Sequence, residues 1–168
     1  MKITRYSNKD KIFCNNFLKI SKNSHFMFNR NYMEYHQDRF NDFSLMFKDE
    51  NEIIKAVFPA NISNRILYSH EGLTFGGLCV SKDIKTIEVH KMFCSLIEFS
   101  RSNNIKKIIY KRLPDFYTSL SAQEDLYSLF LFNAKLIRRD VTTTIDLSNK
   151  ISFSKMKNRN INKAIKSG

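Results

Sequence analysis

The spacing of apolar positions changes several times along the chain, and each change predicts a new element. The clearest pattern covers 84–104. Val89, Phe93, Leu96 and Ser100 recur there at helical spacing, with Met92 and Phe99 widening the stripe, which predicts an amphipathic helix. A helix is also predicted over 23–40, capped by Asn23 or Ser24, from the recurrence of Phe28, Tyr32 and Tyr35. Ser121 and Glu124 have capping-box spacing, so 121–134 reads as a third helix with Leu126, Leu129 and Phe130 as its apolar face. Between these, 42–62 reads as two strands about a polar turn at Lys48–Asn51, and Pro59 limits how far the second can pair. A further strand is predicted over 65–80, interrupted by glycines, and another over 105–114, closed by Pro114. The β-branched run of 134–147 predicts a strand. Phe153, Met156, Ile161 and Ile165 give the tail a weak amphipathic helical pattern. No element is predicted before residue 23. The order is helix, three strands, helix, strand, helix, strand, helix. It predicts an α/β (α+β) fold with a mixed sheet: antiparallel strands, then β-α-β-α-β, with helices packed on the sheet.

Composition agrees with a packed domain. The chain has 168 residues, 42% hydrophobic and 13% aromatic, enough for one domain with a real core. No apolar run approaches the roughly 18 residues of a spanning helix, and the N-terminus lacks the apolar core of a signal peptide. A cytoplasmic protein is expected. Cys14, Cys79 and Cys94 are far apart and odd in number, which predicts free, mostly buried thiols. His90 and Cys94 are four apart on the predicted helix, but two ligands do not make a metal site. The net charge of +12 raises nucleic acid as a partner. Part of that charge sits in the tail, where Lys155, Lys157, Arg159, Lys163 and Lys166 stand without an acid. Such a tail suits RNA or anionic lipid, although Phe153 is its one ring.

Candidate chemistry gathers at 69–77. Of the 4 glycines in the chain, Gly72, Gly76 and Gly77 fall within six residues, directly after Ser69, His70 and Glu71. If the segment is a strand, neighbouring residues point to opposite faces, so these three cannot form a triad with one another. His70 alone is either a general base or a residue that hydrogen-bonds the backbone and shapes the loop. G-x-x-x-G-G is neither a dinucleotide fingerprint nor a P-loop. Glycine permits positive φ and close approach of a backbone or a ligand, and a strand bulge accounts for Gly76-Gly77. The pairs Lys106-Lys107, Lys111-Arg112 and Arg138-Arg139 either lie on a solvated face, line an anion pocket, or pair with Glu124, Asp125 or Asp140.

Taken together, "LYSHEGLTFGGL" (67–78), "IIYKRLPDFY" (108–117), "EDLYSLFLFNAKLIRRDVTTTIDL" (124–147) and "FSKMKNRNINKAIKSG" (153–168) resemble the FemAB-like branch of the GNAT acyltransferase superfamily. Members of that branch occur among proteins of envelope-polysaccharide and peptidoglycan-bridge synthesis. The resemblance runs from about Phe28 to Gly168. It implies a GNAT-like domain over 1–150. Residues 151–168 would then be the basic helix that opens a second such domain, with Lys157, Arg159, Lys163 and Ala164 matching its K-x-R-x-x-x-K-A pattern. On this resemblance the chain is an N-terminal half whose partner is a missing C-terminal GNAT-like domain.

The resemblance also implies a chemistry. The acceptor would be an amino group of an envelope sugar or peptide precursor, placing the protein near the inner face of the membrane. The donor of the full-length protein would be acyl-CoA or aminoacyl-tRNA. GNAT enzymes hold the acyl-CoA pyrophosphate on backbone N–H groups of a [QR]-x-x-G-x-[GA] loop at a helix start, and no such loop occurs here. This chain is therefore expected to bind no cofactor itself. An amine nucleophile needs a base as it attacks the acyl carbonyl, and for such a reaction His70 or Glu71 is the candidate base and Tyr110 or Tyr117 the candidate acid. Lys111, Arg138 and Arg139 would hold anionic acceptor groups, and Gly72, Gly76 and Gly77 would shape the substrate cleft. Thr118 stands where the family commonly has His after Tyr117, which removes one candidate base. Two other readings stay open: a non-catalytic basic module that binds tRNA or another polyanion, and an inactive half-gene product that self-associates through an uncovered interface.

Overall fold

In the computed structural model, which describes residues 1–167 apart from the side chain of His36, the chain divides into two units, Met1–Lys135 and Leu136–Gly168. Gly168, the end of the predicted tail helix, lies outside the described residues. In the first unit, strands β1 (Lys2–Arg5), β2 (Leu45–Lys48), β3 (Ile54–Phe58) and β6 (Cys79–Val80) form an antiparallel sheet in the order β1-β2-β3-β6. A second sheet has the order β4-β5-β7, built from β4 (Asn61–Ser63), β5 (Ile66–Tyr68) and β7 (Lys107–Ile109). Strands β4 and β5 are antiparallel, and β5 and β7 parallel. The β4–β5 hairpin turns on Asn64 and Arg65, both with positive φ, the geometry that matches a hairpin's twist.

The runs Leu45-Met46-Phe47, Ala56-Val57-Phe58 and Cys79-Val80 do not alternate with polar residues, because both faces of the first sheet are covered. Leu45, Phe47, Ala56, Phe58 and Val80 pack with Val89, Met92, Phe93 and Leu96 of helix α3 (Thr86–Ser102). Met46, Val57 and Cys79 point the other way, onto Cys14, Phe17 and Leu18 of helix α1 (Lys11–Ile20) and onto Met27 and Phe28. An α/β fold with an antiparallel sheet between packed helices is therefore the architecture, in the class the element order predicts. The expected single mixed sheet is instead two sheets, and the parallel pairing of β5 with β7 lies in the second. The α3 face predicted from spacing is the buried one, including Ser100. Burial also pushes the Cys14 thiol up to about 12 and that of Cys79 higher still, as inert core thiols require.

Several elements differ from expectation. Strand β1 and helix α1 lie in the first 22 residues, where none is predicted. The predicted helix over 23–40 is broken into short pieces, with helix α2 (Arg30–Met33) between 3₁₀ turns at Phe26–Phe28 and Glu34–His36. His25 and Asn29 each accept a capping bond from the residue two further on. These side chains therefore start new turns rather than continue one helix. Helix α4 (Glu124–Leu131) begins after Gln123 without a side-chain cap, because Glu124 is an ion-pair partner of the buried Lys22 rather than part of a box with Ser121. Its predicted apolar face is also turned: Asp125 and Ser128 are buried, while Leu126 and Phe130 are exposed.

Tyr110, just past β7, links the two sheets. Its ring stacks on Phe58. Its hydroxyl accepts from the Leu78 amide at 2.9 Å and donates to Asp125 at 3.0 Å. Tyr110→Phe leaves a buried amide and a buried carboxylate each short of a partner, so a loss of about 1–3 kcal/mol in urea unfolding is expected. A change below about 0.5 kcal/mol would mean that solvent replaces both bonds.

In the second unit, the β-branched run of 134–147 forms no strand. A sequence preference for β structure becomes a strand only against a partner edge, and none pairs with it among the described residues. Helix α5 (Lys155–Lys166) follows, capped by Ser154 accepting from the Lys157 amide. No helix among the described residues is long and apolar enough to cross a membrane.

Candidate functional site

The glycine-rich segment is a loop rather than a strand, since β5 ends at Tyr68 and β6 begins at Cys79. The triad argument from strand alternation therefore lapses, and contacts decide instead. Ser69 faces β7: its hydroxyl accepts from the Lys111 amide at 2.6 Å, and its own amide donates to the Ile109 carbonyl at 2.9 Å. The Glu71 amide donates to Oδ1 of the buried Asn61 at 2.6 Å. The Lys111 ammonium braces the loop from beneath, donating to the carbonyls of Glu71 and Leu73.

Between these anchors His70 is held at φ 58°, a left-handed conformation that costs a non-glycine residue roughly 1–2 kcal/mol. The strain places a buried imidazole in the wall of a cavity of about 150 Å³. Phe40 packs on His70 with ring centroids 5.3 Å apart and lines the same cavity.

The rest of the wall is charged. Arg30, nearly fully buried, pairs with Asp42 and donates to the Ser44 hydroxyl at 3.0 Å. Its Nε lies 3.5 Å from Glu34, and its guanidinium sits 3.6 Å above the Tyr6 ring. Tyr6 donates to Glu34 at 2.7 Å, and Lys11 pairs with the other oxygen of that carboxylate. Burial first, and the bond to Glu34 second, push the Tyr6 phenol up to about 12. Burial acts to raise Glu34, but the bonds from Lys11 and Tyr6 and the charge of Arg30 outweigh it and hold the carboxyl below its usual range. The cavity thus sets two carboxyl side chains, Glu34 and Asp42, beside an imidazole.

Of the residues singled out from sequence, His70, Glu71, Gly72, Gly76, Gly77 and Lys111 are gathered in or under this loop. The Glu71 side chain is exposed and lies 3.5 Å from the Asn61 amide nitrogen. Tyr110 meets the loop at Gly77, and its phenol is raised well above 10 by burial first and by Asp125 next. Tyr117 is half exposed against Phe75 of the loop. Arg138 and Arg139 belong to the second unit, where Arg138 bonds Asp140 at 2.9 Å. Arg112 pairs with Asp115 and Asp125. Tyr6, Arg30, Glu34 and Asp42 went unnoticed in the sequence, as they come from segments read as blank, as plain helix or as the start of a strand. Their one signal is a buried-type arginine set four residues before Glu34.

The helix that follows the loop starts at Thr86, after β6 and a turn. There the Glu88 carboxylate already accepts from the Lys85 amide at 3.0 Å. Asp83 stands in the turn, kept ionised by Ser81 first and Lys55 next. The start of this helix and the turn before it thus mix Asp83 and Glu88 with Lys82 and Lys85, and the Lys85 amide is already taken by Glu88. Among the described residues there is no cluster of three or more potential metal ligands.

No family model matches the chain, and no curated protein matches it. Among solved structures, the fold is similar to that of a tetramutant of the BH1408 protein from Bacillus halodurans. That likeness has a TM-score of 0.51 at 14% identity, over 86% of this chain and 100% of the other. A Trypanosoma brucei acetyltransferase is similar at 0.49 and 12%, over 86% and 99% of the two chains. An aminoglycoside 6′-N-acetyltransferase from Acinetobacter baumannii is similar at 0.49 and 10%, over 87% and 98%. At 14% identity the first likeness speaks to the fold alone, and the two acetyltransferases, below a TM-score of 0.5, decide nothing about this chain.

Proposed function

We propose that the chain is the acceptor-binding domain of an acyltransferase that acylates an amino group. The finer reading is an amine of an envelope sugar or peptide precursor, handled on the cytoplasmic side. One observation carries it: a strained, triply anchored loop holds the His70 imidazole in the wall of a cavity that Glu34 and Asp42 also line. Backbone strain of this kind gathers at functional sites. An amine arrives largely as an ammonium ion, which would have to compete with Arg30 and Lys11 for Asp42 and Glu34. Once it is deprotonated, its nitrogen attacks the acyl carbonyl and a C–N bond forms. The thioester or ester bond of the donor breaks, and the thiol or hydroxyl leaves with a proton. His70 is the group placed to take the proton that the amine gives up.

The donor is acyl-CoA or aminoacyl-tRNA, brought by a further domain or by another molecule. The Lys85 amide, taken by Glu88 at the α3 start, supports a donor site elsewhere than on that helix. The test incubates the protein, together with the domain or partner that brings the donor, with each donor and a panel of amine acceptors and follows acceptor mass. Failure of both donors sinks the proposal. His70→Ala is expected to slow transfer by about 100-fold or more, with the unfolding midpoint measured alongside. Unchanged turnover would reduce His70 to a residue that shapes the loop.

A further inference from the structure

Two segments that wall the cavity, residues 25–34 and the glycine loop, meet the turn at Asp115–Tyr117 in a surface of aromatic rings. Phe26 stands 67% exposed, Phe116 48%, Tyr117 44% and Tyr32 43%. His25 ties them together, its ring centroid 4.4 Å from Phe26, 4.9 Å from Tyr117 and 5.9 Å from Phe75. Phe26 meets Tyr32 edge-on at 5.4 Å, and Tyr117 meets Phe116 at 4.6 Å. A contiguous exposed apolar surface of this kind marks a binding face. Along the chain it is continuous with the cavity. Residues 25–34 supply Phe26 and Tyr32 here and Arg30 and Glu34 there. The loop supplies Phe75 here and His70 there.

Rings that stack can take either a nucleobase or a sugar, and the charges choose between them. Nucleic acid needs cations for its phosphates. Those nearest the rings in the chain are already engaged: Arg112 with Asp115 and Asp125, Lys22 with Glu124, Arg30 with Asp42, and Lys111 with the carbonyls of Glu71 and Leu73. Asp115 adds an acid next to Phe116. Burial lowers the His25 pKa, which favours the neutral ring. The surface is therefore aromatic and close to neutral. A pyranose suits it: its C–H face lies against the electron-rich face of a ring, and its hydroxyls reach the phenols of Tyr32 and Tyr117.

We propose that the rings of Phe26, Tyr32, Phe75, Phe116 and Tyr117 form a platform for a sugar ring of the acceptor. This deepens the acyl-transfer reading and rests on it for the identity of that acceptor. The test uses the full chain with no donor present, titrated with the trimer of N-acetylglucosamine and followed by tyrosine fluorescence. Saturable binding is expected. Phe26→Ala and Phe116→Ala should each weaken it at least tenfold at an unchanged melting temperature, and Phe26→Tyr should restore it. Three results would overturn the platform: no saccharide binding at millimolar concentration, salt-sensitive binding of a single-stranded oligonucleotide in its place, or a sedimenting dimer that Phe26→Ala dissolves. Because no transfer occurs in this assay, its failure leaves the acylation of other amines untouched. Conversely, failure of transfer with saccharide binding intact condemns only the chemistry.

Discussion

Replacing Arg30 with Ala is expected to destabilise the first unit by about 3 kcal/mol, the low end for breaking a buried pair, because it strands the half-buried Asp42 carboxylate and empties the space beneath Tyr6. Arg30 is the hub of its cluster. It pairs with Asp42, approaches Glu34, bonds Ser44 and covers the Tyr6 ring. Through these it ties α2 to β1 and to the entry of β2. Without the guanidinium, Lys11 still neutralises Glu34, but Asp42 keeps a charge with less to offset it, and the space beneath Tyr6 empties. Urea unfolding measures the loss. The triple variant with Arg30→Met, Glu34→Gln and Asp42→Asn separates charge from packing. Removing all three charges with little change in volume should recover much of the stability. If Arg30→Ala instead costs less than about 1 kcal/mol, the cluster is screened by water like a surface ion pair, and the cavity is too wet to favour an amine through Asp42 and Glu34.

How far the sequence reveals this molecule depends on whether a residue's partner is near in the chain. Helix α3 was legible to the residue, since its face is set by its own spacing and one sheet receives it. The strands of 42–62 were legible as a pair about a turn, although Asn61–Ser63 beyond Pro59 leaves as a third strand, β4, in the other sheet. Helix α1 was not predicted, yet a signal exists: the Ser7 amide and hydroxyl both bond Asp10, a local start motif ahead of Cys14, Phe17 and Leu18. The 23–40 segment misled because His25 and Asn29 divert the backbone into separate turns, although the ring spacing reads as helical. The 134–147 run shows the opposite error, a strong β preference with no pairing edge. The glycine loop was found by composition, but its cavity was not. Arg30, Asp42 and His70 are far apart in sequence, and nothing local announces that they share a wall.

Gly76→Ala is expected to cost about 3 kcal/mol, at the upper end for an added methyl group in a packed site, and to release His70 from its place. A Cβ at Gly76 would lie 1.9 Å from the Ser69 carbonyl oxygen and 2.8 Å from its hydroxyl. Neither atom can yield freely. Ser69 is pinned to β7 by its amide bond to Ile109 and its hydroxyl contact with the Lys111 amide, so the loop must lift as a whole. Lifting it strains the Glu71 bond to Asn61 and the Lys111 brace, which are the anchors that hold the positive φ of His70. Gly77→Ala should also be costly, since its φ of +98° disfavours any side chain and the new atom would meet the Lys111 carbonyl at 2.9 Å. Gly72→Ala provides the contrast. Its Cβ would meet the far end of the Phe40 ring, a side chain that can swing aside, so a loss of about 1 kcal/mol or less is expected from one rotamer adjustment. Amide exchange at Ser69, Glu71 and Lys111 reads the loop directly. Gly76→Ala should speed exchange at all three, and Gly72→Ala at none. Equal effects from the two substitutions would mean that the loop is not clamped against Ser69, and the argument that strain positions His70 would fall with it.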